Sequence, residues 1–184
     1  MRVVFRRTGE RRYAVVVEVP GEAAQTMSPA PGFDQHIPHD LVHYVVEAEL
    51  GLEAGVFGRA ARGGGTFYVA EMRTNSRDQA RRRRKQARRE QALRRESVNE
   101  EQLNTSERLA ALCDVAWRRR HGQRPDPALW SPPSVSPVSA LDAARVERVV
   151  SRLDQLAPLW NRLPVGGQLA LTWPSLSARV DPPV

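Results

Sequence analysis

Val3-Val4-Phe5-Arg6-Arg7-Thr8-Gly9-Glu10-Arg11-Arg12-Tyr13-Ala14-Val15-Val16-Val17-Glu18-Val19 carries a two-residue period. Val3 and Phe5 alternate with charged or exposed neighbours, Gly9-Glu10 can turn the chain, and Tyr13, Val15, Val17 and Val19 share one face. That alternation predicts a half-buried antiparallel hairpin whose apolar face needs a cover. The cover is legible further on. Leu109, Leu112, Cys113, Ala116 and Trp117 fall at helical spacing, as do Val146, Val149, Val150, Leu153, Ala157 and Trp160. Two amphipathic helices are therefore expected, one from Asn104-Thr105-Ser106-Glu107 to Gly122, the other from Ser139 with Pro158 bending or ending it. Gln168 to Trp173 suits a closing strand, Thr66 to Ala70 a third one, and the end beyond Pro174 is expected to be loose. Together these features predict an α+β fold, with a small antiparallel sheet from both ends of the chain packed by amphipathic helices and an Arg-rich helix projecting.

A chain of 184 residues, 41% hydrophobic and 27% charged, suits one compact domain rather than a disordered segment. Within it, residues 1–75 hold the hairpin, a His-rich helix and the third strand, with residues 22–37 an irregular, proline-containing connection. Residues 76–122 hold the basic helix and the first amphipathic helix, 123–138 a proline-rich linker, and 139–184 the last helix, closing strand and tail. The single cysteine, Cys113, excludes an internal disulfide and sits on a core stripe, so it reads as packing rather than as a nucleophile. No 18-residue apolar run is present and Met1 to Arg7 lacks an apolar leader core, so a cytoplasmic location is expected.

The chemistry concentrates in His36-Ile37-Pro38-His39-Asp40-Leu41-Val42-His43-Tyr44-Val45-Val46-Glu47, which holds three of the four histidines. Pro38 is placed to open a helix. His39, His43 and Glu47 then follow one another at i, i+4, i+8, and with Asp40 they share a sector about 100° wide. Imidazoles and carboxylates one turn apart are what a divalent metal takes from a helix. The same pattern also suits a polar face turned to water or a buried hydrogen-bond cluster. Under the metal reading His39, His43 and His36 are candidate ligands, zinc is the favoured metal, and Asp40 or Glu47 is the candidate general base of a metal-dependent hydrolase. In H-E-x-x-H peptidases a Glu stands where Asp40 is, and the shorter Asp reaches a bound water less easily, so peptidase chemistry is not expected.

The string His39-Asp40-Leu41-Val42-His43 resembles the motif of the zinc-binding ubiquinone-biosynthesis family over about 15 residues of the 184. The resemblance implies zinc on this helix. That family's distant Glu falls on Gly55 here, with Glu47 and Glu53 near but out of register. The phrase from Pro38 to His43 is also similar to actinobacterial proteins of no assigned function. Gly63-Gly64-Gly65 is not followed by Lys-Ser/Thr and reads as a turn rather than a phosphate cradle.

Net charge is +7, yet residues 77–95 alone hold ten basic and two acidic side chains, leaving the rest near neutral. Ser76-Arg77-Asp78-Gln79 has the form of a capping box for a helix over 77–98, on which Arg77, Arg81, Arg84 and Arg88 form one stripe. Such a helix, with Arg82, Lys85 and Arg89 on other faces, could engage nucleic acid or an acidic protein as a non-catalytic binding module. Few Asn or Gln and no aromatics accompany it, so any nucleic-acid binding is expected to tolerate sequence. Of 28 basic residues only Lys85 is a lysine, and Ile37 is the only isoleucine. That bias follows from a high-GC genome and is no evidence of phosphate contacts.

Overall fold

The computed structural model describes residues 1–30, 36–64, 67–69, 84, 87–88, 91–92, 97–124 and 140–183. Its strands are β1 (Arg2–Gly9), β2 (Arg12–Glu18), β3 (Gln25–Met27), β4 (Tyr68–Val69), β5 (Gln168–Thr172) and β6 (Ala178–Asp181). Its long helices are α1 (His39–Leu50), α3 (Ser97–Arg120) and α4 (Ala140–Asn161), with the single-turn-and-a-half α2 (Val56–Ala61) between the first two. The fold is α+β.

The hairpin forms with Phe5 opposite Val15 and Val3 opposite Val17, and its register shifts between Arg7 and Gly9 at the turn. On its other side β1 receives β5, Phe5 opposite Leu169 and Val3 opposite Leu171. The six strands run β4-β3-β2-β1-β5-β6, every neighbouring pair antiparallel. Val3, Phe5, Tyr13, Val15, Val17, Leu169 and Leu171 are buried and belong to one core with Leu109, Cys113, Val149, Val150 and Leu153 from the helices. On the opposite face Arg2 reaches Glu18 at 3.0 Å and Asp181 at 3.1 Å, so that β1 is tied to β2 and to β6.

Four expectations change. The connection after Pro20 contains β3, too short to show a period in sequence, and the tail after Pro174 returns as β6, pairing Leu169 with Val180. The helix expected from Asn104 already runs from Ser97, so Asn104-Thr105-Ser106-Glu107 lies inside α3 and caps nothing. Pro158 sits inside α4, which continues past it to Asn161. The Arg-rich helix and proline-rich linker lie mostly outside the described residues; Arg84, Ala87, Arg88, Gln91 and Ala92 are helical and exposed. No described helix is long and apolar enough to cross a membrane.

α1 is the pivot. It packs against α2, α3 and α4, and every residue from Asp40 to Glu47 is buried. Pro38 caps its start in extended conformation, and Gly51, at φ 65°, ends it in the left-handed region that favours glycine. Tyr44 joins Phe5, Phe57 and Trp173 in edge-on contacts and donates to the Ser175 carbonyl at 2.8 Å. Leu153 of α4, fully buried in this core, tests it: Leu153→Ala should cost about 2–5 kcal/mol in urea unfolding. Val165→Ala at a site 57% exposed should stay within roughly 0.5 kcal/mol of the parent.

Candidate metal site

Because α1 is enclosed from Asp40 to Glu47, the polar residues of that stretch meet protein rather than water. Asp40, in the first turn, accepts the Tyr13 hydroxyl at 2.7 Å, and its own N–H donates to that oxygen at 3.2 Å. The pair fixes the start of α1 to β2. Asp40 Oδ1 also lies 3.9 Å from His39 Nδ1, beyond hydrogen-bond reach.

Glu47 is spread across the beginning of α2. Its Oε1 accepts the Val56 N–H at 2.7 Å, and its Oε2 accepts those of Phe57 at 2.9 Å and Gly58 at 3.5 Å. The first N–H groups of a helix lack intrahelical acceptors, and Gly55 before them offers no capping side chain. A carboxylate from another helix does the capping instead, where the positive end of α2 favours it. Gly55 is needed there, because a Cβ would overlap the Glu47 carboxyl. Ser106 of α3 completes the cradle, donating to Glu47 Oε1 at 2.9 Å. Burial pushes the Glu47 pKa up to about 7, against the opposing pull of these hydrogen bonds.

His43 lies between Ser106 and Glu107. Its Nδ1 is 3.4 Å from Ser106 Oγ, a long contact, and its Nε2 is 3.7 Å from Glu107 Oε2. The His39 ring stands one turn earlier, 4.8 Å away between centroids. The His43 side chain is 2% exposed and that of Glu107 55%, so the cluster runs from the core to the surface. Burial, with the neighbouring His39 adding to it, brings the His43 pKa down to about 3, keeping the imidazole neutral. Burial also raises the Glu107 pKa, opposed by His39 and reinforced by Asp40.

Of the residues singled out in the sequence, His39 and His43 are brought together, while Asp40 and Glu47 turn to different neighbours. His36 lies half-buried in the bend ahead of α1. Arg84 and Arg88 are exposed; Arg77, Arg81, Arg82, Lys85 and Arg89 lie outside the described residues. Among the described residues, no three His, Cys, Asp or Glu side chains are placed so that together they could hold a metal ion. The sequence reading missed Tyr13, Ser106 and Glu107. Cys113 is buried, its thiol pushed up to about 12, which suits packing and not nucleophilic attack. Comparison with family models, curated proteins and solved structures finds no match to this chain.

Glu47 and His43 give opposite pH slopes. The Glu47 pKa lies above its ordinary value, so the folded state holds that proton more tightly and its contribution falls as pH rises from 4.5 to about 7. His43 lies below 6.5, so the unfolded chain takes its proton first and stability is lost as pH falls from 6.5 towards 3. Between pH 4.5 and 6.5 the two offset each other, each slope being at most about 1.4 kcal/mol per pH unit. In chelator-containing buffer, Glu47→Gln should make stability climb with pH across this window, and His43→Gln should make it decline. A variant retaining the parent profile in chemical denaturation would remove its group from this account.

Proposed function

We propose that this chain binds a divalent metal, zinc by preference, at the His39/His43 pair of α1 and serves as a metal-dependent hydrolase. The observation that supports it is the buried His43 ring, with Nδ1 3.4 Å from Ser106 Oγ and the His39 ring 4.8 Å away. Metal-binding imidazoles are oriented in this way by a hydrogen bond at the other ring nitrogen. A metal held there with an open position lowers the pKa of a bound water to about 7, which supplies hydroxide for hydrolysis.

Within this reading the two carboxylates of α1 are positioning groups. Glu47 is fully buried with both oxygens engaged by N–H groups, so it acts on the site through Ser106 rather than as a base. Asp40 anchors the first turn through Tyr13 and stands near His39. A reducing cytoplasm suits the single buried thiol. Elemental mass spectrometry of the purified protein tests the proposal. Near-stoichiometric zinc, iron or manganese is expected in the parent and none in a folded His39→Ala/His43→Ala variant. No metal in either, with none taken up on titration, overturns it.

A second reading rests on the +8 balance of residues 77–95 and the exposure of Arg84 and Arg88. That segment would bind nucleic acid, or an acidic protein, without catalysis. If six arginines neutralise phosphates, log K for duplex DNA should fall with log salt at a slope of about −5. Binding that is absent at low salt, or indifferent to salt, removes the nucleic-acid form of this reading.

A further inference from the structure

We propose that two copies of this chain associate through β6, pairing antiparallel about a two-fold axis at Val180 so that their sheets join edge to edge. β6 is the last strand of the six-stranded sheet, with β5 on one side and, among the described residues, no strand on the other. Which of its backbone groups face outward follows from β5. Toward β1, the Gly167 carbonyl accepts from the Arg7 N–H at 2.9 Å, and the Trp173 N–H donates to the Met1 carbonyl at 2.9 Å. Backbone groups alternate sides along a strand, so Gln168, Ala170 and Thr172 point theirs toward β6. Asp181 stands opposite Gln168, and Arg179 opposite Ala170, to receive them. Val180 and Ala178 therefore turn their N–H and C=O groups away from the sheet, along its open edge.

That edge is complementary to itself. A two-fold axis at Val180 makes it exchange both backbone hydrogen bonds with the partner's Val180, and lets Ala178 donate to the carbonyl of the partner's Pro182. The same axis sets Arg179 opposite the partner's Asp181, and Asp181 opposite the partner's Arg179. These are the closer, non-hydrogen-bonded positions of an antiparallel pair, where opposite charges attract and like charges repel. The Arg179 side chain is 72% exposed, and its ion pair is with Asp181 of its own strand. Val180 adds an apolar contact. Its cross-strand partner Leu169 belongs to the core, which places Val180 on the helix-covered side of the sheet, yet it is 48% exposed. Against its counterpart it would carry the apolar layer across the join. Pro182 and Pro183 have no N–H to extend the ladder, and the pairing uses the β6 edge of both copies, so association closes at a dimer. So short a contact makes the dimer weak and dependent on concentration.

Sedimentation velocity of the full-length chain over a concentration series tests the pairing. The parent should pass from monomer to dimer as concentration rises. Val180→Pro removes the central donor and leaves the β5 ladder intact, because edge strands accept proline where the N–H faces outward, and it should weaken the dimer. Arg179→Asp and Asp181→Arg each set like charges opposite one another across the axis. Each alone should lower the association constant by at least about tenfold. Mixed in equal amounts, the two variants present opposite charges at both positions and should form a heterodimer, which also shows that both edges are folded. A parent that stays monomeric throughout overturns the proposal. A dimer that survives Val180→Pro and both charge variants overturns it too, since the contact then lies elsewhere. If the parent dimerises and the mixture does not, the antiparallel register about Val180 is wrong.

Discussion

The carboxylate of Glu47 holds three helices in place at once. It projects from α1, receives the first N–H groups of α2, and accepts the hydroxyl of Ser106 from α3. A buried charge is costly unless hydrogen bonds replace its water, and here four donors offset part of that cost. The arrangement binds in both directions. Without Glu47 those donors would be left in the core with no acceptor, a loss of about 1–3 kcal/mol for each truly buried group. The position of Ser106, and through it the orientation of His43, follows from where that carboxylate sits.

Around this polar knot the packing is conventional. The sheet offers one apolar face, β1 at its centre, and α1, α3 and α4 cover it. α1 lies in the middle and touches both long helices, which is why its His and Asp residues are enclosed. Among the described residues, the half-exposed Glu107 side chain brings the cluster to the surface on the α3 side.

The sequence made some of this readable. The hairpin, the start of α1 at Pro38, and the core stripes of α3 and α4 are encoded by local period and punctuation, and the structure contains them. The elements β3 and β6 span only three and four residues, shorter than the stretch over which alternation can be recognised. Asn104-Thr105-Ser106-Glu107 misleads for a different reason. Its residue types cap helices well, but in α3 Ser106 spends its hydrogen on a carboxylate 59 positions away. Nothing local distinguishes the two uses of a serine. The polar sector of α1 was likewise compatible with water or with burial, and only the helices packed around it decide between them.

The placement of β1 bears on how the molecule is assembled. Its partners are β2, immediately next in the chain, and β5, whose Thr172 pairs with Arg2 across nearly the whole sequence. Loop-closure entropy grows only slowly with length, so this long-range pairing costs the finished fold little. Its weight falls on the rate of assembly, because distant pairings slow the search. While the chain is being made, the edge of β1 carrying Val3 and Phe5 has no neighbour until residues 168–172 emerge. During that interval the centre of the eventual sheet is an open strand edge, able to pair with any extended segment nearby. The strand that anchors the native core is thus the nascent chain's most adhesive surface.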